Sequence, residues 1–124
     1  MAVLRNATTG SVIAGEAVYA RSVVARTRGL MLRKELPEGA GLVIHPCGSI
    51  HMMFMRFPID AVFYDNDGKV TRVARHLRRW TGLAFGGRGA KGVVELPAGA
   101  ATSIEAGHTL EFDPPPAKRG RNEP

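Results

Sequence analysis

Residues 60–74 read DAVFYDNDGKVTRVA, and this stretch decides the fold. Ala61-Val62-Phe63-Tyr64 is a continuous apolar and aromatic run of the kind that fills a buried strand. Asn66-Asp67-Gly68 is the strongest turn signal in the chain, with Gly68 able to take the positive φ that a tight hairpin requires. The two features predict a hairpin that returns through Lys69–Ala74. Its alternation is imperfect, because Thr71-Arg72 separates Val70 from Val73. Working outward, Ala2–Ala7 and Ser11–Ala20 read as strands around a Thr8-Thr9-Gly10 turn. Gly41–His45, Ile50–Met55, Val93–Leu96 and His108–Phe112 read as further strands.

Helical signals are few. Ser22 is a plausible N-cap, and Val23, Val24, Leu30 and Met31 recur at helical spacing until Gly29 weakens the pattern. Ala98–Ile104 predicts a brief helical turn. Arg79–Gly92 is Gly-rich and reads as a loop. The fold class expected is α+β and β-rich: a compact antiparallel curled sheet or small partly open barrel with one or two short helices. Residues 1–113 form the expected single domain. Residues 114–124 are Pro/Arg-rich and read as a disordered tail.

The chain has 124 residues, 44% of them hydrophobic and 23% charged, which excludes global disorder. No apolar run is long enough for a membrane helix, no secretory signal is visible, and a single cysteine excludes an intrachain disulfide. A cytoplasmic location is the expectation. The net charge of +6 is uneven. Lys69, Arg72, Arg75, Arg78, Arg79, Arg88 and Lys91 fall in a segment without a single acid, whereas the chain outside it and the tail is net acidic. Such a basic stretch suits an anionic partner or a solvated Arg-rich face. With only Trp80 and Phe85 near it, the segment lacks the aromatics of a base-stacking platform, which disfavours nucleic acid.

Chemistry-bearing side chains concentrate in residues 45–65, HPCGSIHMMFMRFPIDAVFYD. Cys47, His51, Met53 and Met55 are all ligand types for soft metals, but no paired-cysteine or HExxH frame accompanies them, so no metal site is assigned. Cys47, with His45 and His51 close in sequence, has the residue types of an activated nucleophile. Arg56 and Asp60 frame Phe57-Pro58-Ile59 and suit either a bridge that holds the turn or an Arg free to grip an anion. Glu95 is a lone acid between Val94 and Leu96; it either faces solvent or pairs with Arg56 or His51 in a pocket.

These motifs carry a resemblance. Arg28-Gly29-Leu30-Met31, Cys47-Gly48-Ser49-Ile50-His51, Met55-Arg56-Phe57-Pro58-Ile59-Asp60 and Val94-Glu95-Leu96-Pro97-Ala98-Gly99 occur in the order seen in the family called domain of unknown function 192. The likeness spans roughly residues 15–112. It implies a compact β-rich domain and brings neither an established activity nor a cofactor. Met52 stands where the family often has Thr, and the Trp80 segment lacks the family's proline. The leading expectation is a non-catalytic binding or accessory domain whose polar pocket holds Cys47, His51, Met55, Arg56, Asp60 and Glu95, for a small polar or anionic ligand. The alternatives are a small hydrolase or transferase using His51 with Cys47 or Glu95, and acidic-partner or nucleic-acid binding through residues 69–91.

Overall fold

The computed structural model describes residues 2–20, 36–45, 49–51, 57–78 and 82–115. Among the described residues, nine strands run in chain order: β1 (Ala2–Asn6), β2 (Val12–Ala20), β3 (Ala40–Ile44), β4 (Ser49–His51), β5 (Ile59–Tyr64), β6 (Val70–Leu77), β7 (Leu83–Phe85), β8 (Gly92–Pro97) and β9 (Leu110–Asp113). Seven form one sheet in the order β6-β5-β8-β3-β2-β1-β9, and β4 pairs with β7 in a separate two-stranded ribbon.

The predicted hairpin is present. Asp65 Oδ1 accepts the backbone N–H groups of Asp67 and Lys69, and Gly68 takes φ +82°. Gly68 and Val70 are also where the sheet closes on itself. Leu110 N–H donates to Gly68 O, Val70 N–H to His108 O and Gly107 N–H to Val70 O, so the two edge strands meet at one end. The result is a half-barrel. Its concave core draws residues from all seven strands, among them Leu4, Ala14, Val43, Val62, Val70, Leu96 and Leu110. A second apolar cluster coats the convex face with Leu42, Ile44, Ile59, Ala61, Phe63 and Val93, covered by Leu36, Phe57 and Ala84 of β7. Period-two alternation explains the division: in β5, Ile59, Ala61 and Phe63 go outward while Val62 and Tyr64 go inward. A strand covered on both faces has no need of polar alternation, hence its near-continuous apolar run.

Three expectations are corrected. β2 and β3 pair in parallel, Glu16 opposite Ala40 through Ala20 opposite Ile44, within an otherwise antiparallel sheet. A parallel pair needs a crossover, here residues 21–39. Ala98–Ile104 is no helix but a chain of tight turns closed by Ala100 N–H to Pro97 O, Thr102 N–H to Gly99 O and Ile104 N–H to Ala101 O. The described residues contain no helix at all, and the helix expected near Ser22 lies outside them. The Gly-rich stretch contains a strand, β7, which the glycine signal hid. At the C-terminal end, the Tyr19 hydroxyl donates to Pro114 O at 2.6 Å, tying that residue to β2. Burial pushes the Tyr19 hydroxyl up to about 12, so it stays a donor. The remainder of the tail, residues 116–124, lies outside the described residues.

Candidate functional site

Two buried carboxyls, Asp60 and Glu95, sit on neighbouring strands. β5 and β8 pair with Asp60 opposite Leu96 and Ala61 opposite Glu95. Directly paired residues share a face. Asp60 therefore joins Leu96 on the concave side, and Glu95 joins Ala61 on the convex side. The two carboxyls grouped into one pocket in the sequence reading lie on opposite faces of the sheet.

Asp60, 1% exposed, is fully engaged. Its Oδ1 accepts the His76 N–H at 2.7 Å, and its Oδ2 accepts the Gly99 and Ala101 N–H groups at 2.9 Å each. The first bond answers a defect in the ladder. Ile59 faces Leu77 but Ala61 faces Ala74, so β6 carries one residue too many, and His76 takes a left-handed φ of +53°. A bulge residue loses its ladder partner. Asp60 supplies one, and the same carboxylate holds the turns after β8. Arg75, beside the bulge, donates from Nε to Ala101 O and from Nη2 to Ile104 O, clamping these turns from β6. Asp60 is a scaffold residue by all its observed bonds.

Glu95 is different. It is 8% exposed, and its face carries Leu42, Ile59, Ala61 and Phe57. No hydrogen bond or ion pair links its carboxyl to another described residue. Burial pushes it up to about 7, since ionising it there would forfeit hydration and no described residue offers it an opposite charge. A carboxyl in that state is an O–H donor and an acceptor for much of the physiological range.

Of the other candidates, Cys47, Met55, Arg56 and Arg79 lie outside the described residues, and so does any Arg56–Asp60 bridge. His51 ends β4, in register with Leu83 of β7. The β4–β7 ribbon rests on the convex face: Ala84 joins its apolar cluster, Thr71 Oγ1 donates to Gly86 O, and a Cβ on Gly86 would collide with the Phe63 ring. His51 therefore holds the same register side of the ribbon as exposed Leu83, whereas Ala84 takes the side that rests on the face carrying Glu95. Among the described residues, no cluster of three His, Cys, Asp or Glu side chains is placed to hold a metal.

The basic segment spans both faces of the sheet. Arg72 pairs with Phe63 on the convex side and donates to Phe85 O at 3.1 Å, whereas Arg75 works on the concave side. Arg78, Arg88 and Lys91 are exposed. Sequence reasoning missed a histidine–tyrosine pair at the rim of the barrel. His45 Nδ1 and the Tyr64 hydroxyl are 3.0 Å apart with their rings stacked, and both pass so close to Gly92 that no side chain fits there. Partial burial lowers the His45 imidazole below its ordinary 6.5.

Among the described residues, the strand order and seam define a class: a mainly antiparallel, seven-strand half-barrel with a two-stranded ribbon laid on its convex face. A solved protein of unknown function from Novosphingobium aromaticivorans has this fold, with a TM-score of 0.75 at 23% identity over 89% of this chain and 82% of that one. The family profile of domain of unknown function 192, described as an uncharacterized ACR, matches residues 4–112, and the chain belongs to that family. It is similar to a UPF0127 protein of Pyrococcus furiosus, 33% identical over 115 residues that make up 87% of this chain and 96% of the relative. It is also similar to a UPF0127 protein of Thermococcus sibiricus, 35% identical over 89% of this chain and 73% of the relative. Among the described residues, no helix is long and apolar enough to cross a membrane.

Proposed function

We propose that this protein is a non-catalytic binding domain whose site is centred on Glu95, on the convex face of the half-barrel. One observation carries the reading: an ionisable carboxyl is kept among apolar side chains without a bond to any other described residue. Burying an acid costs stability, and acids whose pKa burial raises concentrate at functional sites. Cys47, Met55 and Arg56 are the further side chains assigned to it, all from the segment that leads into β5, whereas His51, in register with exposed Leu83, is left out. A protonated Glu95 donates to a carbonyl or carboxylate oxygen, and Arg56 would favour an anionic one. The ligand class is therefore a small polar molecule carrying such an oxygen. Asp60, committed to three backbone amides, is left out of the site.

Thermal unfolding of the full chain against a panel of small carboxylates, phosphates, amides and amines tests this. Carboxylates or amides should raise Tm for the wild type and not for Glu95→Ala. A panel without effect on the wild type sinks the reading.

A second reading has its own support. A carboxyl at about 7 is placed where a general acid or base works best at neutral pH. With Cys47 it would serve a small hydrolase or transferase. Turnover of model esters or phosphoesters that disappears in Glu95→Gln would favour this reading over simple binding. Nucleic-acid binding through the whole of residues 69–91 is not favoured, because Arg72 and Arg75 lie on opposite faces of the sheet.

A further inference from the structure

The ribbon laid over the convex face buries Ala84 and presents the residues on either side of it. Leu83 is 59% exposed and Phe85 57%. Two positions apart on a strand, they stand about 7 Å from one another on one face. They are the most exposed large apolar side chains of the described residues. Cations bracket them. Gly82 N–H donates to Arg78 O, which keeps exposed Arg78 at that end. At the other end Arg72 donates to Phe85 O, and the turn closed by Ala90 N–H to Gly87 O carries exposed Arg88 at its tip. No acid occurs anywhere between Lys69 and Lys91 to neutralise them.

We propose that the Leu83–Phe85 face of the ribbon, rimmed by Arg78, Arg72 and Arg88, docks this protein on an anionic lipid surface. Two features of this surface select that occupant. The first is charge: a positive rim around an apolar centre complements acidic headgroups above a hydrocarbon layer. The second is shape. Side chains more than half exposed protrude and do not line a groove, so they offer an extended peptide no cleft. Two of them also fall far short of the area a stable protein interface buries. A bilayer needs neither groove nor large area, because it closes around whatever is inserted. The docking is peripheral and reversible, driven by apolar insertion and headgroup attraction together.

Vesicle co-sedimentation of the full chain tests it, using phosphatidylcholine alone and phosphatidylcholine with about 30% phosphatidylglycerol, at low and high salt. The protein should pellet with the anionic vesicles only, and less so as salt rises. Leu83→Ser/Phe85→Ser should cut partitioning by about tenfold or more, and Arg78→Ala/Arg88→Ala by a similar factor at low salt. All four positions are solvent-exposed, so both variants should keep the wild-type Tm, which circular dichroism verifies in the same samples. Failure to pellet with anionic vesicles overturns the proposal. So does vesicle binding that the Ser pair leaves unchanged, which would mark plain charge attraction of the kind polyglutamate or duplex DNA would also capture. A wild-type dimer in sedimentation velocity that the Ser pair abolishes would assign the patch to a second copy of this chain instead.

Discussion

Replacing Asp60 by Ala removes one side chain and orphans three backbone donors. The His76, Gly99 and Ala101 amides all point at this carboxylate, over 2.7, 2.9 and 2.9 Å, and the Ala101 bond is fully buried. A hydrogen bond to a charged group contributes roughly 1.5–3 kcal/mol, but three such values do not simply add once the turns relax and water reaches the outer two amides. A loss of about 3–5 kcal/mol is the consistent expectation, a large share of the ~5–15 kcal/mol that holds a domain of this size. In a thermal scan that is a fall of roughly 10–20 °C. Asp60→Asn separates the contributions. Its amide oxygen can keep the Gly99 and Ala101 bonds, but its NH2 then meets the His76 N–H, donor against donor. The cost should be intermediate, about 1–3 kcal/mol. The assay is equilibrium urea unfolding at neutral pH with the m-value fitted for each variant. An Asp60→Ala protein within about 1 kcal/mol of the wild type at unchanged m would refute the claim that this carboxylate organises the bulge and the turns.

Four further outcomes follow from the same geometry. Folding stability should fall as pH rises from about 4.5 to about 7, because the folded state holds the Glu95 proton that the unfolded state has already released. The full span is on the order of 3 kcal/mol, and the difference between wild type and Glu95→Gln, measured by urea unfolding at pH 5 and pH 8, isolates it. For His45 the sign is opposite: an NMR titration should give a midpoint below 6.5, and a midpoint at or above that value contradicts its burial beside Tyr64. Gly92→Ala puts a Cβ against the Tyr64 hydroxyl and 2.8 Å from His45 Nδ1, so it should destabilise by about 1–3 kcal/mol. Gly15→Ala is the control: its Cβ would meet nothing within 4 Å and its φ is not left-handed, so it should be neutral or stabilise by up to about 1 kcal/mol in the same denaturation assay.

The legible parts of the fold are those written in adjacent residues. Asn66-Asp67-Gly68 between two apolar runs specifies the β5–β6 hairpin because turn chemistry is local. The β1–β2 turn at Thr8-Thr9-Gly10 is readable for the same reason. Parallel pairing of β2 with β3 is not, because it depends on where a long crossover returns. β7 stayed hidden because three residues between glycines carry too little pattern to read as a strand. Asp60 shows how site reasoning fails in the same way. Its partners are 16, 39 and 41 residues away and are all backbone amides, which have no identity in a sequence. Arg56, the charge partner that the sequence offers for Asp60, lies outside the described residues. The face of Glu95 was recoverable in principle: once β5 and β8 are known to pair, the period of two separates it from Asp60.

The two carboxyls illustrate how scaffold and site can be told apart on one sheet. Both are buried, and burial alone disfavours a charge. Asp60 recovers that cost through three amide donors that would otherwise be unsatisfied, so removing it damages the folded state. Glu95 recovers nothing from the described residues, so removing its charge should relieve the folded state at alkaline pH. A residue that weakens the protein that carries it calls for a reason outside folding, and a ligand that binds the folded form supplies one, since its binding free energy adds to stability. The same logic gives the discriminating sign. Above pH 7 and without ligand, Glu95→Gln should be more stable than the wild type, and Asp60→Asn less stable. If Glu95→Gln were destabilised as well, Glu95 would be a second scaffold residue, and the convex-face site would lose the observation on which it rests.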